Sequence, residues 1–556
     1  MNTIDLLVVI IYVVGITAYG IWISRHTKTS DGFFLGGRKL KWWTMMGQAF
    51  GTGTHAEMPV AQTGASFSLG FSTIWYQWKN MLITPFYWLM APWYRRSERT
   101  TIAEMVTDRY GRQMGMLYTI FALAFLIFVM GVMLQGAAKV IFVASGETWS
   151  PNHIVIAMTV AFMVYSYFGG LVAAANTEFI QSFLIIVLSF LLIPFGIHAV
   201  GGMTEMRHTL DPGFFTLYSD ASGLDVFTIS MLAVNGVVGI TAQPHMMTMF
   251  ASGNTERAGR VGQTFGNLVK RLVTIGWALT GLIVAVLVIQ RGTTLPDSEH
   301  AFGYAIRELL SPGITGLMIA AILAAHMSSC SNFMVNLGSL FTRDIYQPYL
   351  RPEASDREIL RVGRLSSLVL TLLGVFFALI IKNVLSAFLF VETMAAFVGI
   401  SIFGGMLWRR ANRYGAMAAI LLAFVVYYGL NYSETGTLQL IYKWQPLPFC
   451  WAMSLGFLTL IIVSLLTPPE DATRIAPFFD RMQHLSRADR PSDLPVSAGS
   501  QGMEMILLDI PSWFKPGRWS HFWSRYREDA MGFLLAWLFV GGLIGLAWIM
   551  LAFWVN

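Results

Sequence analysis

Charge is what this chain has least of. Only 12% of its 556 residues are Asp, Glu, Lys or Arg, against 55% hydrophobic, and so few charges cannot clothe a soluble globule of that length. The 37 Lys and Arg outnumber the 31 Asp and Glu, but the excess lies between apolar runs, where basic residues orient a chain in a membrane, so no nucleic-acid partner follows. Cysteine is nearly missing. Cys330 and Cys450 both fall inside apolar runs, which excludes a disulfide framework and a thiolate metal site. Catalytic signatures are missing too: no metal-ligand spacing, nucleophile elbow or phosphate-binding glycine loop occurs, and Gly36 with Gly37 lacks the strand and helix that such a loop needs. The chain is not expected to be an enzyme.

What it has is apolar runs of about 20 residues, each able to cross about 30 Å of hydrocarbon as a helix. An all-α polytopic membrane protein with about fourteen transmembrane helices is expected, the spans falling at residues 4–23, 42–66, 70–93, 115–145, 152–168, 173–200, 226–250, 264–290, 312–341, 363–382, 385–407, 413–431, 447–466 and 530–554. The first run is followed by Arg25 and Lys28 and offers no small-residue cleavage site, the reverse of a secretory signal, so it reads as a retained span entering from outside. With that orientation the basic clusters Arg95, Arg96 and Arg99, then Arg257, Arg260, Lys270 and Arg271, then Arg409, Arg410 and Arg413 all fall on the inner side. The outer loops carry about one basic residue each. Both termini should face outward. Residues 467–529 change character, with a polar tract through Ser500 and then aromatic and basic residues such as Trp513, Trp519 and Arg525, expected as a flexible and interfacial segment on the inner surface.

Residues 321–332, AILAAHMSSCSN, place Ser328 and Ser329 side by side in an apolar span. A hydroxyl there bonds its own helix one turn back, a neighbouring helix or an ion. The second span carries QAFGTG at 48–53 and then Thr54, His55, Ala56, Glu57, Met58 and Pro59. Glycines, a proline and two ionisable groups at mid-membrane argue for a discontinuous helix whose freed carbonyls line a cavity or hold a cation. The seventh span repeats the anomaly at Asn235, Gly236, Gly239, Gln243, Pro244 and His245. Two interrupted spans five apart suit an inverted repeat of five helices, with the binding site between its halves.

Charged groups inside spans cost about 2.5–3.5 kcal/mol each at the helix centre and normally face a cavity. They are Glu57, Lys79, Lys139, Glu178 and Glu392. Lys139, near a span end, is expected to snorkel. Lys79 sits in a cluster with Trp75, Tyr76, Gln77, Trp78 and Asn80, and could meet either a solute carboxylate or Glu57 or Glu392.

Several stretches, in order, resemble the sodium:solute symporter family: DGFFLGGRKLKWW at 31–43, TIAEMVTDRYG at 101–111, YFGGLVAAANTEFIQ at 167–181, Gln243-Pro244-His245, and the region 320–346 containing AAHMSSCSN and ending LFTRDIY. The likeness covers roughly residues 4–466. It implies a 5+5 inverted-repeat core of ten helices at 41–412, with halves at 41–200 and 225–412. Around it lie an extra helix and loop at 1–40, two peripheral helices at 413–466, the inner segment 467–529 and a last span at 530–556. It also implies a Na⁺ site of backbone carbonyls at Gly51 and Thr54 facing a carbonyl at Ala325 and the hydroxyls of Ser328 and Ser329, an all-oxygen set suited to a hard cation. A second Na⁺ would lie among Glu178, where the family usually has Asp, Ser331 and Asn332. In sugar-carrying members an Asn and a Glu bind hydroxyls where this chain has Gly53 and Gln77, so it departs from the sugar pattern. Gln-Pro-His looks more like the proline branch.

The solute is therefore expected among Gly53, Glu57, Met58, Gln77, Lys79, Asn80 and Gln243. The resemblance implies a secondary active transporter that moves a small organic solute, an amino acid or a carboxylate, with Na⁺ by alternating access across a plasma membrane, by family habit a bacterial inner membrane. The alternatives are a proton-coupled carrier using Glu57, His55 or Glu178, and a transporter-like sensor. The partners expected are the solute and the lipid bilayer. Oligomeric state is not legible.

Overall fold

The computed structural model describes residues 2–24, 34, 38–54, 57–219, 223–486, 489, 505–510, 513 and 522–555; within its helices the side chains at 23–24, 51–53, 165, 168–182, 185, 188, 324–325, 328 and 554–555 are outside the description. The described chain is nearly all helix. Eight of its helices are long and apolar enough to cross a membrane: Thr3–Trp22, Arg112–Ala144, Glu256–Arg291, Asp356–Ala378, Val384–Leu407, Arg413–Thr435, Pro446–Leu466 and Phe522–Phe553. Large apolar side chains point outward along several of them, among them Ile11, Phe376, Leu421, Leu466 and Leu538. That is the pattern of helices whose outer face meets lipid, where no hydrophobic gain comes from hiding a leucine.

Helix starts are fixed by polar caps in the connecting segments. Thr101 and Glu104 form a capping box on Ile102–Tyr110, and Asp225, Thr255, Ser355, Asn383 and Asn412 each accept from a backbone N–H of the helix they precede. Two caps act across the chain. Asp5 accepts from the backbone N–H groups of Gly313 (2.6 Å) and Gly316 (2.9 Å) at the start of Ile314–Leu340. Glu299 accepts from those of Val384 (2.9 Å) and Leu385 (3.1 Å) and also from the Lys139 ammonium at 2.5 Å. A carboxylate at a helix N-terminus satisfies orphan donors and opposes the helix dipole. Lys139 is thus ion-paired with Glu299 and with Asp297 at 2.9 Å; the carboxylates that hold it lie in a loop over 150 residues away, which is why snorkelling was the natural expectation.

The two expected interruptions are both present. Helix Trp42–Gly53 stops and Glu57–Leu69 begins. Pro59 explains the position, because it has no N–H to offer the carbonyl of residue 55 and its ring clashes there. The second break runs from Val226–Gly239 through a 3₁₀ turn at Ile240–Ala242 to Met246–Ala251, and Pro244 stands in the same relation to Ile240. The spans expected at 152–168 and 173–200 lie within one helical stretch, Pro151–Ala199. Its first half is tied to the Ile314–Leu340 helix by Ser166 donating to the Ser331 hydroxyl (2.7 Å), its second half to Glu256–Arg291 by the Trp277 indole donating to the Ser189 hydroxyl (3.1 Å).

Residues 467–486 are more structured than expected: helix Ala472–Gln483 buries Phe478, Phe479 and Met482, and the Arg109 and Arg409 guanidiniums lie over the Phe479 ring. Most of the polar and interfacial stretch at 487–521 lies outside the described residues.

Candidate functional site

The helix Glu256–Arg291 runs beside both halves of the first broken helix. A side chain at Gly262 would meet Met45, and one at Gly266 would come 2.8 Å from the Met46 carbonyl oxygen, so these two glycines, four apart, allow the helices to touch. Further along, the Thr63 hydroxyl donates to the Trp277 carbonyl at 3.1 Å. The register is parallel, and the residues midway between these contacts, Lys270 and Arg271, come level with the break at 54–56. Lys270 continues the Gly262 and Gly266 stripe by one more turn.

Between the two breaks lies a cavity of about 60 Å³. It is lined by Met58 at the first break, Gln243 at the second, Asn80 of helix Trp75–Ser97, Lys270, Arg271, and Glu392 of helix Val384–Leu407. The rings of Phe125, Phe333 and Phe388 close its apolar side. Three of the expected solute residues, Met58, Asn80 and Gln243, thus share one wall. The others stand behind it. Gln77 is buried and contributes its carbonyl, which accepts from the Arg271 guanidinium at 3.2 Å. Glu57 is buried in the first turn of its helix. Gly53 ends helix Trp42–Gly53, and its surroundings lie outside the described residues.

Lys79 resolves the alternative left by the sequence. Its ammonium, fully buried, is ion-paired with the Glu392 carboxylate and lies 5.4 Å from the centre of the Phe388 ring. Removing one partner of such a pair costs about 3–5 kcal/mol, because the other charge is left buried alone. Lys79 is thereby committed to Glu392 rather than held open.

Of the expected Na⁺ ligands, Thr54 sits at the end of the broken helix with its hydroxyl buried and, among the described residues, without a hydrogen-bond partner. Ser329 is fully buried on Ile314–Leu340, a helix that packs against Trp42–Gly53. Gly51 lies in the last turn of Trp42–Gly53; the side chains of Ala325 and Ser328 lie outside the described residues. For the second group, Glu178 also lies outside them. Ser331 accepts from Ser166, and the Asn332 side-chain carbonyl accepts from Asn336 at 2.8 Å and Thr248 at 3.4 Å.

Lys270 and Arg271 are the site residues that sequence reading missed. They look like inner-loop charges because a basic residue next to an apolar run is normally a flank. The signal against that reading was the G-x-x-x-G at 262–266, which marks a helix already packed in the bundle four residues before Lys270.

Comparison with known proteins agrees with this architecture. The model of the sodium:solute symporter family matches residues 33–423. The osmoregulated proline transporter OpuE of Bacillus subtilis is 28% identical over 82% of this chain and 94% of its own length. The sodium/glucose cotransporter of Vibrio parahaemolyticus is 24% identical over 76% and 84%. A solved structure of a Na⁺-coupled sialic acid symporter, substrate-bound and outward-open, matches with a TM-score of 0.70 and 19% identity, covering 84% of this chain and 99% of that one, a likeness of fold. With the family model covering well over half of the chain and two broken helices facing one cavity, the protein belongs to the sodium:solute symporter family, with Na⁺ as its coupling ion.

Proposed function

We propose that this protein carries a small organic solute, an amino acid or a carboxylate, across a bacterial inner membrane together with Na⁺ by alternating access, both termini facing outward. The solute occupies the cavity between the two broken helices. Na⁺ is held by the Gly51 and Thr54 end of the first break and by Ala325, Ser328 and Ser329 across from it. The two breaks are taken as corresponding elements of a 5+5 repeat at 41–200 and 225–412 within about fourteen spans. The observation that carries the reading is Thr54: a buried hydroxyl with no hydrogen-bond partner among the described residues, at an unwound point beside the helix of Ser329. A buried polar atom left unmatched is costly, and a hard cation with oxygen ligands would satisfy it. The name of the proline-transporting relative supports the amino-acid side of the solute class.

The energetics suffice. One charge crossing 100 mV releases about 2.3 kcal/mol and a tenfold Na⁺ gradient about 1.4, together enough for a gradient of several hundred-fold for a neutral solute. The cavity of about 60 Å³ is well below the roughly 150 Å³ that accommodates benzene. A solute of ordinary size therefore enters only when the helices part, as alternating access requires. The test is Ser328→Ala combined with Ser329→Ala in reconstituted vesicles. The expected result is uptake that no longer responds to Na⁺; uptake with unchanged Na⁺ dependence would show that the ion binds elsewhere.

A further inference from the structure

Three charged side chains line the cavity, Lys270, Arg271 and Glu392, and the one carboxylate among them is already taken. Lys79 and Glu392 are paired with each other. Lys270 is buried within helix Glu256–Arg291 and lines the cavity, yet among the described residues no side chain hydrogen-bonds its ammonium or forms an ion pair with it. Arg271, equally buried, donates to the Gln77 carbonyl at 3.2 Å, its Nε has no partner, and it too has no ion pair among the described residues. Two adjacent basic side chains thus line the cavity with no carboxylate paired to either among the described residues.

We propose that Lys270 and Arg271 are the carboxylate-recognition pair of the solute site, so that the solute is an organic monoanion. This rests on the reading of the cavity as the solute site. The guanidinium offers planar donors that match a carboxylate, and the ammonium beside it supplies a second, pivoting donor. The rest of the cavity suits the other end of an organic acid: Phe125, Phe333 and Phe388 are apolar, and Asn80 and Gln243 can bond an oxo or hydroxyl group. An amino acid is less well served, because its ammonium would need a free carboxylate and Glu392, the one that lines the cavity, is held by Lys79. A neutral sugar would leave both cations unmatched.

The experiment uses the full chain in nanodiscs and reads thermal stabilisation, which follows binding by mass action. Acetate, propionate, pyruvate and benzoate are compared with acetamide, propionamide, pyruvamide and benzamide, and with proline and glucose, each with and without Na⁺. At least one acid should bind tenfold or more tightly than its amide. Lys270→Gln and Arg271→Gln should each bring that ratio to within about twofold, and Lys270→Arg should keep part of it. The ratio is internal to each variant, so a variant that folds poorly is still scored on its folded fraction. If no acid stabilises the protein, if proline or glucose binds as tightly as the best acid, or if the ratio survives in Lys270→Gln and Arg271→Gln, the proposal is wrong. Acid-selective binding indifferent to Na⁺ would instead leave this pair standing and overturn the Na⁺-coupled reading.

Discussion

Two groups of buried cations among the described residues are treated in opposite ways. At the end of the bundle where helix Ala472–Gln483 and Asp489 dock, Arg95 donates to Asp489 at 2.9 Å, Arg96 grips Glu256 through two bonds of 2.7 and 3.0 Å, and Arg260 meets Glu256 at 3.0 Å and also Asp529. Three arginines face three carboxylates. At the mid-bundle cavity Lys270 and Arg271 are as deeply buried, and no carboxylate pairs with either among the described residues. The first region uses its charges to fasten a segment to the core. The second leaves two basic groups without a carboxylate, which under the reading proposed above the solute supplies. Pairing, rather than burial, separates these two groups; Arg109, also buried, is met by the backbone carbonyls of Gly405, Trp408, Arg409 and Ala411 instead.

The sharpest way to break the comparison is to damage the balanced cluster. Glu256→Gln leaves Arg96 and Arg260 partly unmatched and should cost about 3–5 kcal/mol, read as a large drop in the unfolding midpoint of the protein in nanodiscs. A shift no larger than that of a surface substitution would mean that the cluster is solvated and the contrast false. Next comes the pair inside the site. Lys79→Met alone should cost about 3 kcal/mol by leaving Glu392 buried and unpaired, while Lys79→Met with Glu392→Leu should recover most of it, because a buried ion pair replaced by apolar side chains is often nearly neutral. If the double variant is as unstable as the single one, Glu392 does more than hold Lys79.

Much of this was legible in the sequence, for identifiable reasons. Pro59 and Pro244 dictate where a helix cannot continue, and that is a local property, so both breaks could be read. Met58, Asn80 and Gln243 lie within a few residues of those breaks or of the aromatic cluster at 75–80, so they could be read as well. Lys79 could be recognised as important but not assigned, since its partner Glu392 lies 313 residues away. Lys270 and Arg271 were hidden by the very regularity that reveals orientation: a charge-counting rule cannot tell a flanking lysine from one drawn into the bundle beside Gly262 and Gly266. The docking of Ala472–Gln483 was hidden for a similar reason, because its partners lie on helices and loops near residues 95–109 and 409, and the segment's own composition resembles a flexible linker.

A smaller effect, of opposite sign, sharpens the contrast. Lys270→Met removes a buried basic group that no described carboxylate pairs with, and should raise stability by about 1–2 kcal/mol while uptake falls, the usual trade between function and stability at a site. The measurement is the unfolding midpoint without solute, paired with vesicle uptake. A loss of stability comparable to that of Glu256→Gln would mean that Lys270 has a structural partner, and the distinction between the two regions would fail.

The smallest effect is expected where charge is paired but exposed. Asp108 accepts from Arg99 at 2.8 and 3.0 Å and from Arg481 at 2.5 Å, a denser set of bonds than Lys79 has. The side chains of Arg99 and Arg481 are, however, 37% and 35% exposed. Water already solvates them, and salt screens what remains over about 8–10 Å. Asp108→Asn should therefore cost less than about 1 kcal/mol, shrinking further between 50 and roughly 500 mM NaCl. Number of bonds and burial make opposite predictions here. If Asp108→Asn proves as damaging as Glu256→Gln, bond count governs these clusters; if it is nearly silent, the cost of a lost partner is set by how completely water is excluded from the charge left behind.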